Sequence, residues 1–464
     1  MAGLFGILHV ARSGIMAQQT AVRVSSQNIS NAESPGYTRE RADLVTAPSI
    51  MTPAGQLGSG VRVDNVSRMR DPLLDANYRR DAGRAASADL RFQLLDQVQT
   101  VLGEPSDIGI AQALDAFHSA WADLANQPTS GPLRNLLVQS GEQLTTMMHS
   151  FSDRLDETKA YARQRLELAV SGVNRLAGQI AGINAEIVQA ETSGQAANDL
   201  RDRRDLLVDE MAGLGAVRVI DRGPTDYSII IDGAMVVDGA DHDDLTFTGI
   251  PAQVRIGTRT LAFEAVSTMG DLVDVIENQI PTVQARLDAL AAGIVEQVNA
   301  LHSAGYTSGG ATGVNFFDPA GTNARSISVT VAAANVVTAD APGQVSNNRI
   351  ALAMGALRGP PAQNAIANGY AGWAAVKNNL GGSSLAEHYS TTVVNPGTVV
   401  NGAENDSTVY GALAAQADMR RESLSGVSTD EELILVMQHQ QAYSAAARLV
   451  SVVDEMMQTL LNMT

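Results

Sequence analysis

The chain has no cysteine anywhere in its 464 residues. Disulfides, thiolate nucleophiles and Cys-ligated zinc or iron–sulfur centres are therefore excluded. Lysine is almost missing too: Lys159 and Lys377 are the only two, so nearly all positive charge is arginine. With a formal net charge of −18, the sequence lacks the clustered basic surface that neutralises phosphates, and no nucleic-acid partner is expected. Aromatic residues make up only 4 %, which suits long, closely packed helices rich in Ala and Gly better than a binding cleft. No run of about 20 apolar residues occurs, so neither a transmembrane helix nor membrane insertion is expected. The first residues are interrupted by His9, Arg12 and Ser13, and no cleavable signal is expected.

Catalytic patterns are missing as well. There is no Gly-x-x-x-x-Gly-Lys phosphate loop and no Gly-x-Ser-x-Gly elbow. Gly213-Leu214-Gly215 lies where a helix passes to a strand, the reverse of the order a dinucleotide site requires. The seven histidines, His9, His118, His149, His242, His302, His388 and His439, show no i, i+4 pair that would give a helix a metal-binding face. The acidic cluster Asp238, Asp241, His242, Asp243 and Asp244 lacks the alternating spacing, mid-loop Gly and distal Glu of a calcium loop, and reads as a solvated turn. No catalytic residue, cofactor or metal is expected, and the chain reads as a non-enzyme.

What the sequence does have is rhythm at both ends. Leu4, Leu8, Ala11, Ile15, Gln18, Val22, Ser25 and Ile29 follow a 4-3-4-3 spacing, and a similar stripe returns through Leu435, Ala442, Ala446, Leu449, Val453, Met456, Leu460 and Met463. Steps of three and four average 3.5 residues and keep one stripe facing a partner, as in a coiled coil. Chain ends are ordinarily the least ordered part of a domain. These ends are built to pack, on each other or on something outside the molecule.

Between them the pattern runs out and back. The first helix stops before Ser34-Pro35-Gly36, and two strand-like runs, 37–45 and 59–66, follow as an extended hairpin. Helices are predicted over 72–102 with Asp71 as N-cap and a stop at Gly103-Glu104-Pro105, over 108–124, and over 132–190, the last either one rod of about 90 Å or broken near Gly172 or Gly178. A further helix, 197–211, carries Asp199-Leu200-Arg201-Asp202-Arg203-Arg204-Asp205, which reads as a solvated face laced with ion pairs. From Gly213 the period switches from 3.6 to 2 for several short strands. Helices return near Asp271, and the last stretches are predicted at 347–357, 383–389, 404–424 and from Asp430. The fold class is mainly α with a β-rich insertion: paired terminal coiled-coil helices, a long-helix body and a small outer β domain. The division is 1–70 plus 425–464 as a split terminal domain, 71–212 plus 268–424 as the helical body, and 213–267 as the inserted β domain.

One segment resists a purely structural reading. In Asn28-Ile29-Ser30-Asn31 followed by Pro35-Gly36-Tyr37-Thr38-Arg39, two asparagines lie three apart at a helix end, where their amides can bond freed carbonyls. Asn-Ile-x-Asn followed by Pro-Gly-Tyr resembles the signature of the bacterial flagellar axial proteins of rod, hook and hook–filament junction. The Tyr37-Thr38-Arg39 continuation is similar to the hook-associated branch of that family. Further similarities lie at Gly58 to Arg68, Asp199 to Leu207, Val298-Asn299-Ala300-Leu301-His302-x-x-Gly305, Asn315-Phe316-Phe317, Gly426 to Glu432 and Tyr443 to Arg448. The β insertion matches only loosely.

The resemblance implies a structural role: joining a hook to a filament as a ring of subunits, with paired terminal helices lining a channel. It implies synthesis in the cytoplasm, type III export and a final place in the extracellular flagellum. The implied partners are copies of the chain itself, the hook protein, hook-associated protein 3 and a cytosolic export chaperone. The assembly interface would comprise Leu4, Leu8, Ile15, Val22, Asn28, Ile29, Asn31, Tyr443, Leu449, Val453, Met456 and Leu460. Leu435, Ala442, Leu449, Val453 and Met456 would meet the chaperone. The ends, 1–30 and 430–464, are expected to be disordered in the free protein and to fold on assembly. The rival expectation is another axial subunit, of hook or distal rod.

Overall fold

The computed structural model describes residues 2–52, 55–102, 109–192, 194–264, 266–370, 372–379 and 381–462. The expected stop at Gly103-Glu104-Pro105 and the last stripe residue, Met463, lie outside them.

The chain is mainly helical with small sheets. Helix α1 spans Ala2–Ser30 and gives way to turns through Ser34-Pro35-Gly36, where Gly36 takes a left-handed φ of 76°. Strands β1 (Glu40–Thr46) and β4 (Val61–Arg68) pair antiparallel with Glu40 opposite Arg68. The short hairpin of β2 (Ile50–Thr52) and β3 (Gly55–Leu57) extends this ribbon at its tip. Helix α1 lies along the ribbon: Ser13 Oγ accepts from Val61 N–H at one end and Asn28 reaches Glu40 at the other.

Four helices follow: α2 (Pro72–Leu102), α3 (Ile110–Asn126), α4 (Gly131–Glu191) and α5 (Asn198–Ala212). Asp71 caps α2 through its carboxylate to Leu73 N–H at 2.8 Å. Helix α4 is one unbroken rod of 61 residues, about 90 Å long, that passes through Gly172 and Gly178. Gly172 sits where a Cβ would stand 3.0 Å from the Leu214 side chain, so at that point its smallness serves close packing rather than a bend.

The β insertion consists of β5 (Val217–Asp221), β6 (Tyr227–Ile231), β7 (Ala234–Asp238) and β8 (Asp241–His242) in one antiparallel meander. A second, three-stranded sheet holds β9 (Leu245–Gly249), β10 (Ala252–Ile256) and β11 (Arg259–Thr260). Both lean on α4. Helix α6 (Thr268–Asp274) passes through a π turn, Val275–Gln279, into α7 (Ile280–Ala304), and two short helices follow, α8 (Arg349–Ala356) and α9 (Trp373–Asn379).

The few aromatics gather in the body core. Phe117, Trp121, Phe316 and Phe317 are fully buried, with ring centroids 4.9 Å apart for Phe316–Phe317 and 5.4 Å for Phe117–Phe316. The Asn299-to-Gly305 motif explains how that loop is held. Asn299 Nδ2 donates to Phe317 O at 2.9 Å while its Oδ1 accepts from Phe316 and Phe317 N–H. His302, one turn on, contacts Val314 O through Nδ1 at 2.6 Å and accepts from Val337 N–H at Nε2. Gly305 is needed because a Cβ there would clash with the Val337 side chain and meet Ala339 O at 2.7 Å.

Helices α10 (Leu385–Ser425) and α11 (Thr429–Asn462) complete the chain. The two separate helices expected at 383–389 and 404–424 are one. Proline removes one helical donor and crowds the preceding turn, yet the helix runs through Pro396 because Leu385, Tyr389, Val400 and Ala403 are buried on either side of it. Helix α10 returns along α2, with the Arg421 guanidinium 3.5 Å over the Tyr78 ring.

Candidate assembly interface

The terminal signature is a hydrogen-bonded knot. Asn28, fully buried on the last turn of α1, donates from Nδ2 to Glu40 O at 2.9 Å. Its Oδ1 accepts from Glu40 N–H at 2.9 Å and from Tyr37 Oη at 2.8 Å. One side chain thereby closes the turn between α1 and β1. Burial, then the nearby Glu40 carboxylate, push the Tyr37 phenol well above its usual range, so it remains a donor. Asn31 does what was expected of both asparagines, donating to Gln27 O at 3.1 Å. Asn28 instead reaches across the turn.

Beyond Tyr37 the chain is tied to distant elements. Thr38 N–H donates to Asp202, Arg39 N–H donates to Ser425 O, and the Arg39 side chain reaches Glu431 and the buried Glu432 at the start of α11. Asn198 Nδ2 bridges the Glu40 carboxylate at 2.7 Å and Val66 O at 2.8 Å.

Helix α5 is the anchor for these ties, which corrects the reading of its charge run as a solvated face. Asp202, Arg204 and Asp205 are buried. Asp205 meets Arg68 at 2.8 Å, Arg70 at 2.9 Å and Arg79 at 3.3 Å; Asp202 meets Arg68 at 2.7 Å; Asp209 meets Arg79 and Arg421, each at 2.6 Å. Arg204 lies 3.5 Å over the Tyr227 ring of the β insertion. Burial raises the Asp205 carboxyl, but Arg70, Arg68 and Arg79 outweigh it and hold it at about 2. The places where the chain passes between terminal helices and body, near residues 38, 69 and 425, thus converge on one helix. A buried charge cluster is tolerable only when its members are mutually paired, and sequence order scatters these partners from Arg68 to Arg421. The available signal was the preference for arginine, whose planar fork holds two carboxylates where lysine holds a point contact.

The terminal helices pair antiparallel. Gly14 lies against Ala446, 3.6 Å from where a Cβ would stand, and His439 Nδ1 is 2.7 Å from Gln18 Oε1. On α1, Leu4, Leu8, Ile15, Val22 and Ile29 are half-buried along the expected stripe, and Asn31 is half-buried in the turn just past the helix. On α11 the covered line is Val436, His439, Tyr443, Ala446, Val450, Val453 and Met457, again in 3-4 steps. It is shifted from the sequence stripe: Val453 and Ala446 are shared and Leu435 is half-buried, but Ala442, Leu449 and Met456 face solvent. The reason is that α11 has apolar residues on two adjacent lines, and periodicity alone picks either. The side chain of Leu460 lies outside the described residues.

Around this geometry there is no metal-binding cluster and no membrane-length apolar helix among the described residues. Known proteins give the arrangement its class. Residues 8–38 match the flagella basal body rod protein family, residues 422–463 the C-terminal family of the flagellar basal body rod FlgEFG proteins, and residues 95–317 the helical domain of flagellar hook-associated protein FlgK. The chain is a flagellar axial structural protein.

Within that class it is similar, end to end, to flagellar hook-associated protein 1. The protein of that name from Bacillus subtilis (strain 168) is 27 % identical, covering 100 % of this chain and 99 % of the relative. That of Salmonella typhimurium (strain LT2) is 23 % identical over 98 % and 99 %. The solved flagellar hook junction protein FlgK from Burkholderia pseudomallei aligns with 22 % identity and a TM-score of 0.48, over 52 % of this chain and 46 % of its own.

Proposed function

We propose that this chain joins the flagellar hook to the filament as a ring of subunits assembled through its terminal helices. The observation that carries this reading is the α1–α11 pair itself, which stands on the body through α5 and leaves apolar residues uncovered on both members, among them Phe5, Ile7 and Met16 on α1 and Ile434, Met437 and Leu449 on α11. Contiguous exposed apolar surface marks an interaction site. On this reading 1–70 with 425–464 form the split channel-lining domain, 71–212 with 268–424 the body, and 213–267 an outer domain. Type III export places it outside the cell, with the hook protein on one side and hook-associated protein 3 on the other. Before export, Leu435, Ala442, Leu449, Val453 and Met456 present α11 to a cytosolic chaperone. No catalysis is involved.

The rod-family matches at the two ends favour one alternative, a hook or distal-rod subunit. A deletion strain separates the two. Intact hooks without filaments, with flagellin shed into the medium, are expected. Missing hooks would overturn the junction role in favour of the alternative. For the chaperone, removal of residues 435–464 is expected to abolish binding, and retained binding would refute that part.

A further inference from the structure

Helix α11 has a second apolar line beside the one that α1 covers: Ala442, Ala445, Leu449, Val452 and Met456, in 3-4-3-4 steps and exposed throughout. Leu449, Val452 and Met456 are 48 %, 49 % and 48 % exposed. Helix α1 also has two lines, but its second (Ala17, Ala21, Val24, Asn28) is covered by the β1–β4 ribbon. Among the described residues nothing covers the second line of α11.

On the outer side of α1 lies an exposed stripe in the same rhythm: Phe5, His9, Arg12, Met16, Gln19 and Arg23. Phe5 and Met16 are 57 % and 53 % exposed, one turn on either side of His9 and Arg12. Helix α1 contains no carboxylate, whereas α11 carries Asp430, Glu431, Glu432, Asp454 and Glu455 against the single Arg448. Asp454 and Glu455 stand beside Val452 and Met456.

Resting on the reading that the terminal helices carry assembly, we infer that the second line of α11 is the seat for the outer stripe of α1 from a second copy of this chain. Phe5 and Met16 of that copy pack on Leu449, Val452 and Met456, and its Arg12 pairs with Asp454 or Glu455. The occupant is settled by three matching features: the coiled-coil rhythm on both sides, the opposite charge, and continuity with the α1–α11 seam within the chain. Two different patches meet in this contact, so it is heterologous and propagates from copy to copy into a ring or helical array.

The absence of native cysteine makes the test direct, because any introduced thiol is unique. Full-length chains bearing Met16→Cys or Phe5→Cys are mixed with chains of different mass bearing Leu449→Cys or Met456→Cys and treated with a short bismaleimide under associating conditions. Mixed dimers in excess over either homodimer are expected. Leu449→Arg should weaken self-association at least ten-fold by light scattering, whereas Gln440→Arg on the opposite flank of α11 should leave it unchanged. Circular dichroism verifies that each variant is helical. Intact association without mixed cross-links, or with Leu449–Leu449 products dominant, would overturn this inference and leave terminal-helix assembly standing. Should the native chain stay monomeric at every concentration, even with hook fragments as seeds, both readings fall.

Discussion

Arg39 Nε donates to the buried carboxylate of Glu432 at 2.7 Å, joining residues that lie 393 positions apart in the chain. Arg39 follows directly on Pro-Gly-Tyr-Thr, and Glu432 sits in the first turn of α11, so the bond fixes where the C-terminal helix starts relative to the N-terminal turn. A second arm reaches the exposed Glu431 at 3.1 Å. Arg39→Ala would leave Glu432 buried without its cation. The expected cost is about 3–5 kcal/mol, the range for breaking one side of a buried pair. It should appear as faster amide exchange in both α1 and α11 with that of α4 unchanged. Unaltered exchange at both ends would show that the bond does not position α11.

Asp205 holds the body to the terminal helices by meeting three guanidiniums. Replacing it with Asn leaves Arg68, Arg70 and Arg79 with their other carboxylates, Asp202, Asp75 and Asp209, so the loss should sit near the low end for a buried pair, about 3 kcal/mol. The control is Glu210→Gln, which breaks a half-exposed pair with Arg175 and should cost under about 1 kcal/mol. Urea midpoints of the two variants separate the cases, and equal midpoints would sink the anchor role of α5. Because the Asp205 carboxyl is held at about 2, its contribution is complete above the unfolded value and fades only as pH falls through about 2.

How much of this was legible in the sequence follows from how local each feature is. The starts of α2, α4 and α5 and the stops of α4 and α5 are set by caps, proline and periodicity within a few residues, and they fell within two residues of expectation. The gap expected between 389 and 404 is absent because burial of Val400 and Ala403, a tertiary effect, outweighs one proline. The burial of Asp202 and Asp205 was invisible, since the sign of a charged face's solvation depends on Arg68, Arg70, Arg79 and Arg421, none of them near in sequence. Asn28 stands out in the sequence by its place at a helix end, but its partner Glu40 belongs to the next strand. The register of α11 was ambiguous for a physical reason: the helix carries two usable apolar lines, and one chain fills only one of them.

Two buried histidines make the body sensitive to mild acid. Burial lowers His118 and His302 to about 4 from 6.5. Neutral His302 is also demanded by geometry, since Nε2 must accept from Val337 N–H. The unfolded chain therefore binds protons between pH 6.5 and 4 that the folded chain refuses, and stability falls as pH drops through that window. Asp232 acts in the opposite sense: burial raises it to about 6 from 3.8, so the folded state gains there as pH falls. The two histidines outweigh Asp232 by on the order of 3 kcal/mol from pH 6.5 to 4, and the Glu40 and Asp271 carboxyls, also raised by burial, offset part of that loss. Urea midpoints across that range should decline, and the decline should shrink in His302→Gln, which cannot take up the proton. An identical slope in that variant would remove His302 as a source.

The terminal helices should be the least stable part of the free chain. Their seam is built from small and polar contacts, Gly14 against Ala446 and Gln18 against His439, with Ala11 and Val453 among the few buried apolar residues. Such a seam buries little, and helices draw most of their stability from tertiary packing. Helix α4, by contrast, buries Leu137, Leu144, Phe151, Leu155, Leu166, Leu176 and Ile180 along its length. In dilute solution the amides of 2–30 and 429–462 should exchange at least about a hundred-fold faster than those of α4, which corresponds to a gap near 3 kcal/mol. Residues 13–28, backed by the β1–β4 ribbon, should be slower than 2–12. Raising the concentration should protect both ends together, because the second line of α11 becomes covered only when another copy arrives. Full protection of both ends at the lowest concentration would mean that the pair needs no neighbour, and the link between folding of the ends and assembly would fail.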